Sequence, residues 1–188
     1  MLELRQIESF FPEYLRGFKR NLLREYLQYK ILDAIFSSRY GQKLAFMGGT
    51  FSADIKVEKI LIKLDAEPQK FKYTPERVVI NKFDVFIGIN VVPAGILLAQ
   101  KFYAILARPR AMGRVFYDAV FLSGKTNPDF AYLKERAGIA DKEGLKSALL
   151  EHCAKLDFKL LGKDVEQFLF SPDDAKKVLL FLEYVKGW

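Results

Sequence analysis

Lys43-Leu-Ala-Phe-Met-Gly-Gly-Thr50 followed by Phe51-Ser-Ala-Asp-Ile-Lys56 decides how this chain is read. The apolar run Lys43 to Met47 predicts a short strand that feeds a turn at Gly48-Gly49-Thr50. Two glycines let a backbone come close to a phosphate, and Thr50 offers a hydroxyl at a helix start. An ordinary tight turn explains the same residues, and the local signal leaves both readings open. Asp54 follows Thr50 after only three residues. A parallel neighbouring strand needs a crossover of about a dozen residues or more. Asp54 therefore cannot be delivered beside the turn by a strand–helix–strand route.

Outward from this stretch, the period of apolar residues sets the elements. Upstream, residues 13–38 carry Leu22, Leu23, Tyr26, Leu27, Tyr29, Ile31, Leu32 and Ile35 at helical spacing. Gly17 divides a short first helix from a longer second one, and Gly41 stops it. Downstream, Val57–Asp65 alternates as a strand that ends at Glu67-Pro68. Arg77–Ile80 and Phe83–Val92 predict two further strands, joined by a turn at Asn81-Lys82. From Ile96 the period becomes helical, with Leu97, Leu98, Phe102, Ile105 and Leu106 as the buried face. Arg108-Pro109 ends that helix. Helices follow over 113–122, 142–155 and 162–168, while 127–130 reads as a loop or a helix entry. Ser171-Pro172-Asp173-Asp174 is a strong helix start, with a cap, a proline and first-turn acids. The last helix runs to Val185. The expected architecture is α+β: a small, incomplete mixed sheet between an N-terminal helical region and a C-terminal helical half. Residues 1–95 hold the N-terminal helices and the sheet, and residues 96–188 the helical part.

Composition bounds the function. The 188 residues are 51% hydrophobic, with 17 Phe and 9 Tyr, enough for a core and far from a disordered composition. The net charge is +7 with no basic tail, which favours nucleotide or nucleic-acid partners. Cys153 is the single cysteine and His152 the single histidine. They exclude an intrachain disulfide and a Cys/His zinc site, and fit a reducing, cytoplasmic setting. The longest uncharged run, Val85–Gln100, is interrupted by Asn90, Pro93 and Gly95 and reads as strand then helix, so no membrane partner is expected.

Several side chains carry candidate chemistry. Asp54 and Asp65 are the acids nearest the glycine turn. Nucleotidyl transfer uses Mg²⁺ held by two or three carboxylates. Asp65 with Glu67 also reads as a solvated strand end. Lys101 lies in a helix that is otherwise apolar from Ile96 to Ala107, so its ammonium must snorkel or meet an anion. Arg114 and Asp118 are four apart on one helix face. Either they pair, or Arg114 reaches a triphosphate. Tyr117 beside them reads as packing rather than as a stacking platform for a base.

Taken in order, these residues resemble the AbiEii/AbiGii toxin family of nucleotidyltransferases, within the DNA-polymerase-beta-like superfamily. Leu23–Ser38 is similar to the family helix before the core, and Lys43–Thr50 to its strand and Gly-Gly-Thr/Ser motif. Lys59–Pro68 resembles the strand bearing its later acid. Leu97–Arg108 is similar to its lysine helix, Gly113–Leu122 to its Arg-Asp-Phe-Tyr-Asp-like helix, and Phe168–Leu182 to its C-terminal segment. The resemblance covers most of the chain. It implies a toxin–antitoxin setting and Mg²⁺-dependent transfer of a nucleoside monophosphate from an NTP to a tRNA-like RNA or a protein acceptor. It also implies an antitoxin partner. In that scheme Asp54 and Asp65 hold metal, and Gly48, Gly49 and Thr50 cradle phosphate. Lys101 and Arg114 neutralise the triphosphate, with Asp118 beside them. Two departures stand out. Lys56 occupies the place of a second acid after Ser52-Ala-Asp54, and Val115 the place of the acid in Arg-Asp. Loss of an internal segment between Thr50 and Lys59 accounts for the short spacing. It also implies the alternative of an inactive, truncated relative that acts as a binding partner.

Overall fold

The computed structural model describes residues 1–47, 68, 70–166, 169 and 172–188. The chain is α+β and divides into two compact units, Met1–Val92 and Pro93–Trp188. Gly48, Gly49, Thr50, Asp54, Asp65 and the strand expected over Val57–Asp65 lie outside the described residues.

The first unit begins with helix α1 (Leu4–Glu8). The Glu3 amide donates to Gln6 Oε1 at 2.8 Å, half of a capping box that satisfies an end amide. A 3₁₀ turn at Glu13–Leu15 leads to α2 (Lys19–Phe36), so the two segments separate at Gly17 as the sequence predicts. Strands β1 (Glu76–Lys82) and β2 (Val85–Val91) form an antiparallel hairpin in which Lys82 faces Val85. The turn is therefore Phe83-Asp84 and not Asn81-Lys82. The reason is register. Val85 and Ile89 must both face inward, and they are 1% and 2% exposed. Lys43–Met47 does not form a full strand. Phe46 alone makes a parallel bridge to Val91, through Phe46 N–H to Asn90 O (2.8 Å) and Val92 N–H to Phe46 O (3.0 Å).

Phe83 holds this unit together. Its φ is +58°, a left-handed conformation that disfavours a bulky residue. The ring compensates by packing at centroid distances of 5.0–5.9 Å against Phe10, Phe11, Tyr26 and Tyr29. Phe11 and Tyr26 belong to a core with Ile7 and Leu22, and Phe83 packs against it. Polar bonds fix the same corner. The Tyr26 hydroxyl accepts from the Leu2 amide at 2.8 Å and donates to Asp84 Oδ2 at 3.3 Å. Lys30 also donates to Asp84, and Lys82 pairs with Glu25. Burial pushes the Asp84 carboxyl upward, but the hydrogen bond and charge of Lys30, the Asp84 backbone amide and the Tyr26 hydroxyl outweigh it and hold it below the usual range.

The second unit is helical: α3 (Ala94–Ala107), α4 (Gly113–Ser123), α5 (Phe130–Ala137), α6 (Lys142–Cys153), α7 (Phe158–Glu166), α8 (Lys176–Leu179) and α9 (Phe181–Lys186). Ile96, Leu98, Ala99, Phe102 and Ile105 bury the inner side of α3, while Leu97 and Leu106 stay half-exposed. The expected face is thus rotated, because α4, α5 and α6 all pack on α3. Asp129 caps α5 by accepting from the Tyr132 amide at 2.8 Å, and Gly138 ends it at φ +72°. The expected last helix is divided instead. Pro172–Ala175 is a 3₁₀ turn, and Leu180 (φ −96°, ψ 13°) breaks α8 from α9. This break lets Phe181 enter the core, where its ring meets Phe116 at 4.9 Å and 88°. Gly113 begins α4 against α7. A Cβ on it would lie 2.0 Å from the Leu161 carbonyl oxygen. Among the described residues no helix is long and apolar enough to cross a membrane.

Phe83→Ala is expected to cost about 2–4 kcal/mol in urea unfolding. Phe83→Gly is expected to be no worse than Phe83→Ala, because it relieves about 1 kcal/mol of left-handed backbone penalty. The opposite order would show that the backbone at 83 is not strained. Cys153 tests the core of the second unit. Burial pushes its thiol up to about 11. At pH 8 the native chain should react with a thiol reagent about 100-fold more slowly than the urea-unfolded chain. The linked stability is present below the ordinary thiol value and lost as pH rises toward about 11.

Candidate functional site

The described part of the candidate site lies where α3 faces α4. Lys101 comes from α3, whose neighbours Leu98, Ala99 and Phe102 are fully buried. Its stem runs along apolar surface, and its Nζ donates to Asp118 Oδ2 at 2.6 Å. The two side chains are 34% and 42% exposed, so the pair sits at the rim of the helix packing. Asp118 is placed by the period of α4. Val115, Phe116 and Ala119 point inward, which leaves Arg114, Tyr117 and Asp118 on the outer side.

Arg114 lies one turn before Asp118 on that face, half-buried. The expected alternative of an Arg114–Asp118 pair is not what forms, because the carboxylate takes Lys101. Among the described residues no hydrogen bond or ion pair engages Arg114. Val115, where the resembled family carries an acid, is 5% exposed. A carboxylate there would be desolvated, which fits the apolar residue.

Tyr117 is held as packing. Its ring lies nearly parallel to Phe121 (9°, centroids 6.4 Å apart), and Lys177 Nζ stands 5.2 Å over it. Lys177 in turn pairs with Asp174, a hydrogen bond that raises its pKa above the ordinary lysine value. Phe121 lies four residues after Tyr117 on the same helix. Lys177 and Asp174 come from the far end of the chain, and no local spacing points to them.

The described residues do not by themselves suit Mg²⁺. Asp118 is already neutralised by Lys101, and among the described residues no three His, Cys, Asp or Glu side chains gather as a metal site. The carboxylates expected to hold metal, Asp54 and Asp65, lie outside the described residues, as do the phosphate-cradling Gly48, Gly49 and Thr50. The described structure therefore brings together Lys101 and Asp118, with Arg114 on the same face of α4. Compared with protein-family models, curated proteins and solved structures, the chain has no significant match.

Because the Lys101–Asp118 pair is partly solvated, its structural worth is small. A double-mutant cycle with Lys101→Ala and Asp118→Ala is expected to give a coupling of about 0.3–1 kcal/mol in chemical denaturation. A coupling of about 3 kcal/mol or more would mark the pair as a buried structural bridge.

Proposed function

We propose that this chain is a nucleotidyltransferase-type protein similar to the AbiEii/AbiGii toxins. In this reading Lys101, Arg114 and Asp118 form the end of the site that meets an NTP. The observation that carries the proposal is the Lys101–Asp118 pair at the rim of α3 and α4, with Arg114 beside it. An exposed ion pair of this kind contributes little to folding, so its value lies in holding a lysine ammonium in a set direction. An incoming triphosphate brings several negative oxygens. It competes with one carboxylate for the ammonium, and Arg114 supplies a second, planar donor for the same anion. In the family reaction an acceptor hydroxyl loses its proton to solvent as its oxygen bonds to the α-phosphorus, the bond from that phosphorus to the α,β-bridging oxygen breaks, and pyrophosphate leaves. Two cations on the leaving phosphates stabilise the charge that gathers there. The net charge of +7 suits an RNA acceptor.

A second reading has its own support. Only three residues separate Thr50 from Asp54, and Lys56 puts a positive charge where a second metal-binding acid would stand. On this reading the chain is a truncated, inactive relative that binds a partner, an antitoxin among them.

One assay separates the two. The full chain is incubated with each labelled NTP, Mg²⁺ and bulk tRNA, and label is followed into RNA and into protein. The transferase reading expects transfer with at least one NTP, abolished in Asp65→Ala and reduced about 100-fold or more in Lys101→Ala. Absence of transfer with every NTP sinks it and favours the inactive relative.

A further inference from the structure

Away from the Lys101–Asp118 pair, the second unit carries a polar trough of about 500 Å³. Arg108, from the α3–α4 connection, lines it together with Glu151, His152 and Lys155 from the end of α6 and the residues after it. A second hollow of about 270 Å³ shares Ala111 and Leu156 with it and adds Arg110 at its edge. The larger space is within the range that small-molecule sites occupy.

Helix dipoles do not explain the trough. Arg108 and Lys155 follow the C-terminal ends of α3 and α6, where a single cation offsets the carbonyl charge of each helix. That accounts for one cation per helix end, but not for both lining one space that His152 also lines. Nearby helix amides are already used. Asp164 accepts from the Gly113 amide at 3.0 Å, and Asp157 accepts from the Lys159 and Leu160 amides at 2.9 and 3.1 Å. Those two acids line the second hollow and are occupied in capping, and Glu151 is the acid among the trough's lining residues. Arg108 Nη1 donates to Met112 Sδ at 3.1 Å. Among the described residues Glu151, His152 and Lys155 make no ion pair.

Two cations and an imidazole on one space suit a phosphate group. A carboxylate at the same rim repels a bare anion but accepts hydrogen bonds from hydroxyls. We infer that the trough is a binding site for a sugar phosphate: Arg108, His152 and Lys155 take the phosphate, and Glu151 takes a sugar hydroxyl. The site is separate from the residues assigned to the NTP. Its ligand is a free phosphomonoester, and the phosphodiester of a polynucleotide backbone is the other source of the same chemistry.

His152 is the single histidine of the chain, so its ring protons give an unobscured NMR reporter. The full chain is titrated with ribose 5-phosphate, inorganic phosphate, ribose, and a short single-stranded oligonucleotide without terminal phosphate. Ribose 5-phosphate should move the His152 signals saturably with a dissociation constant of about 1 mM or tighter. Ribose should leave them in place. Arg108→Gln and Lys155→Ala should each weaken ribose 5-phosphate about tenfold. Glu151→Gln should weaken ribose 5-phosphate without weakening inorganic phosphate. Lys101→Ala should change nothing here, which keeps this result distinct from the transferase assay. The inference is overturned by three outcomes: no saturable shift up to about 10 mM, an unchanged affinity in the Arg108→Gln/Lys155→Ala double variant, or a shift produced by the oligonucleotide and not by ribose 5-phosphate.

Discussion

Burial of α3 organises the second unit. Leu98, Ala99 and Phe102 are fully enclosed, and α4, α5 and α6 each pack on this helix. Most of the burial free energy here comes from removing these apolar side chains from water. A lysine in the middle of such a helix has few directions open to it. Its charge cannot follow the stem into the core, so the ammonium must emerge between neighbours. The α3–α4 rim is where it emerges, and Asp118 is the acid that α4 presents there. The candidate site thus follows from packing: the apolar face of α3 is satisfied first, and the position of the lysine is what remains.

The first unit solves a different problem with similar means. A two-stranded hairpin is marginal alone in water. Here its turn is pinned into an aromatic cluster by Phe83, and Asp84 next to it takes hydrogen bonds from Tyr26 and Lys30. Local backbone preference would put glycine or asparagine at such a position. Tertiary packing of the ring wins over that preference, and a phenylalanine occupies left-handed space as a result.

This explains where sequence reading works on this chain and where it stops. The long helix after Gly17, the helix end at Arg108, and the start of α4 at Gly113 follow from spacing and from glycine and proline signals. The turn at Phe83-Asp84 does not, because it violates the rule by which turns are recognised. The rotation of the α3 face is set by how α4, α5 and α6 pack on it, which local periodicity does not contain. The break at Leu180 has the same origin: Phe181 leaves the helical line to meet Phe116. In the candidate site, Lys101 was legible as a charge in an apolar run, and Arg114 with Asp118 as neighbours on one face. That Asp118 would choose Lys101 over Arg114 depends on how two helices meet. Lys177 and Asp174 beside Tyr117 come from the other end of the sequence, beyond the reach of any motif.

The contact between Gly113 and the Leu161 carbonyl sets a limit on how this molecule can change. Where two helices meet through side chains, their separation drifts as core residues are exchanged. Here a backbone meets a backbone, with no atom available to add and none to remove. The start of α4 is therefore referenced to α7 by main chain rather than by side-chain volume. Arg114 is the next residue, and Asp118 follows one turn later on the same rigid rod. Variation in the surrounding core can accumulate without re-aiming them. The geometry of the rim is buffered against sequence drift, and a single glycine is the point at which that buffering can fail.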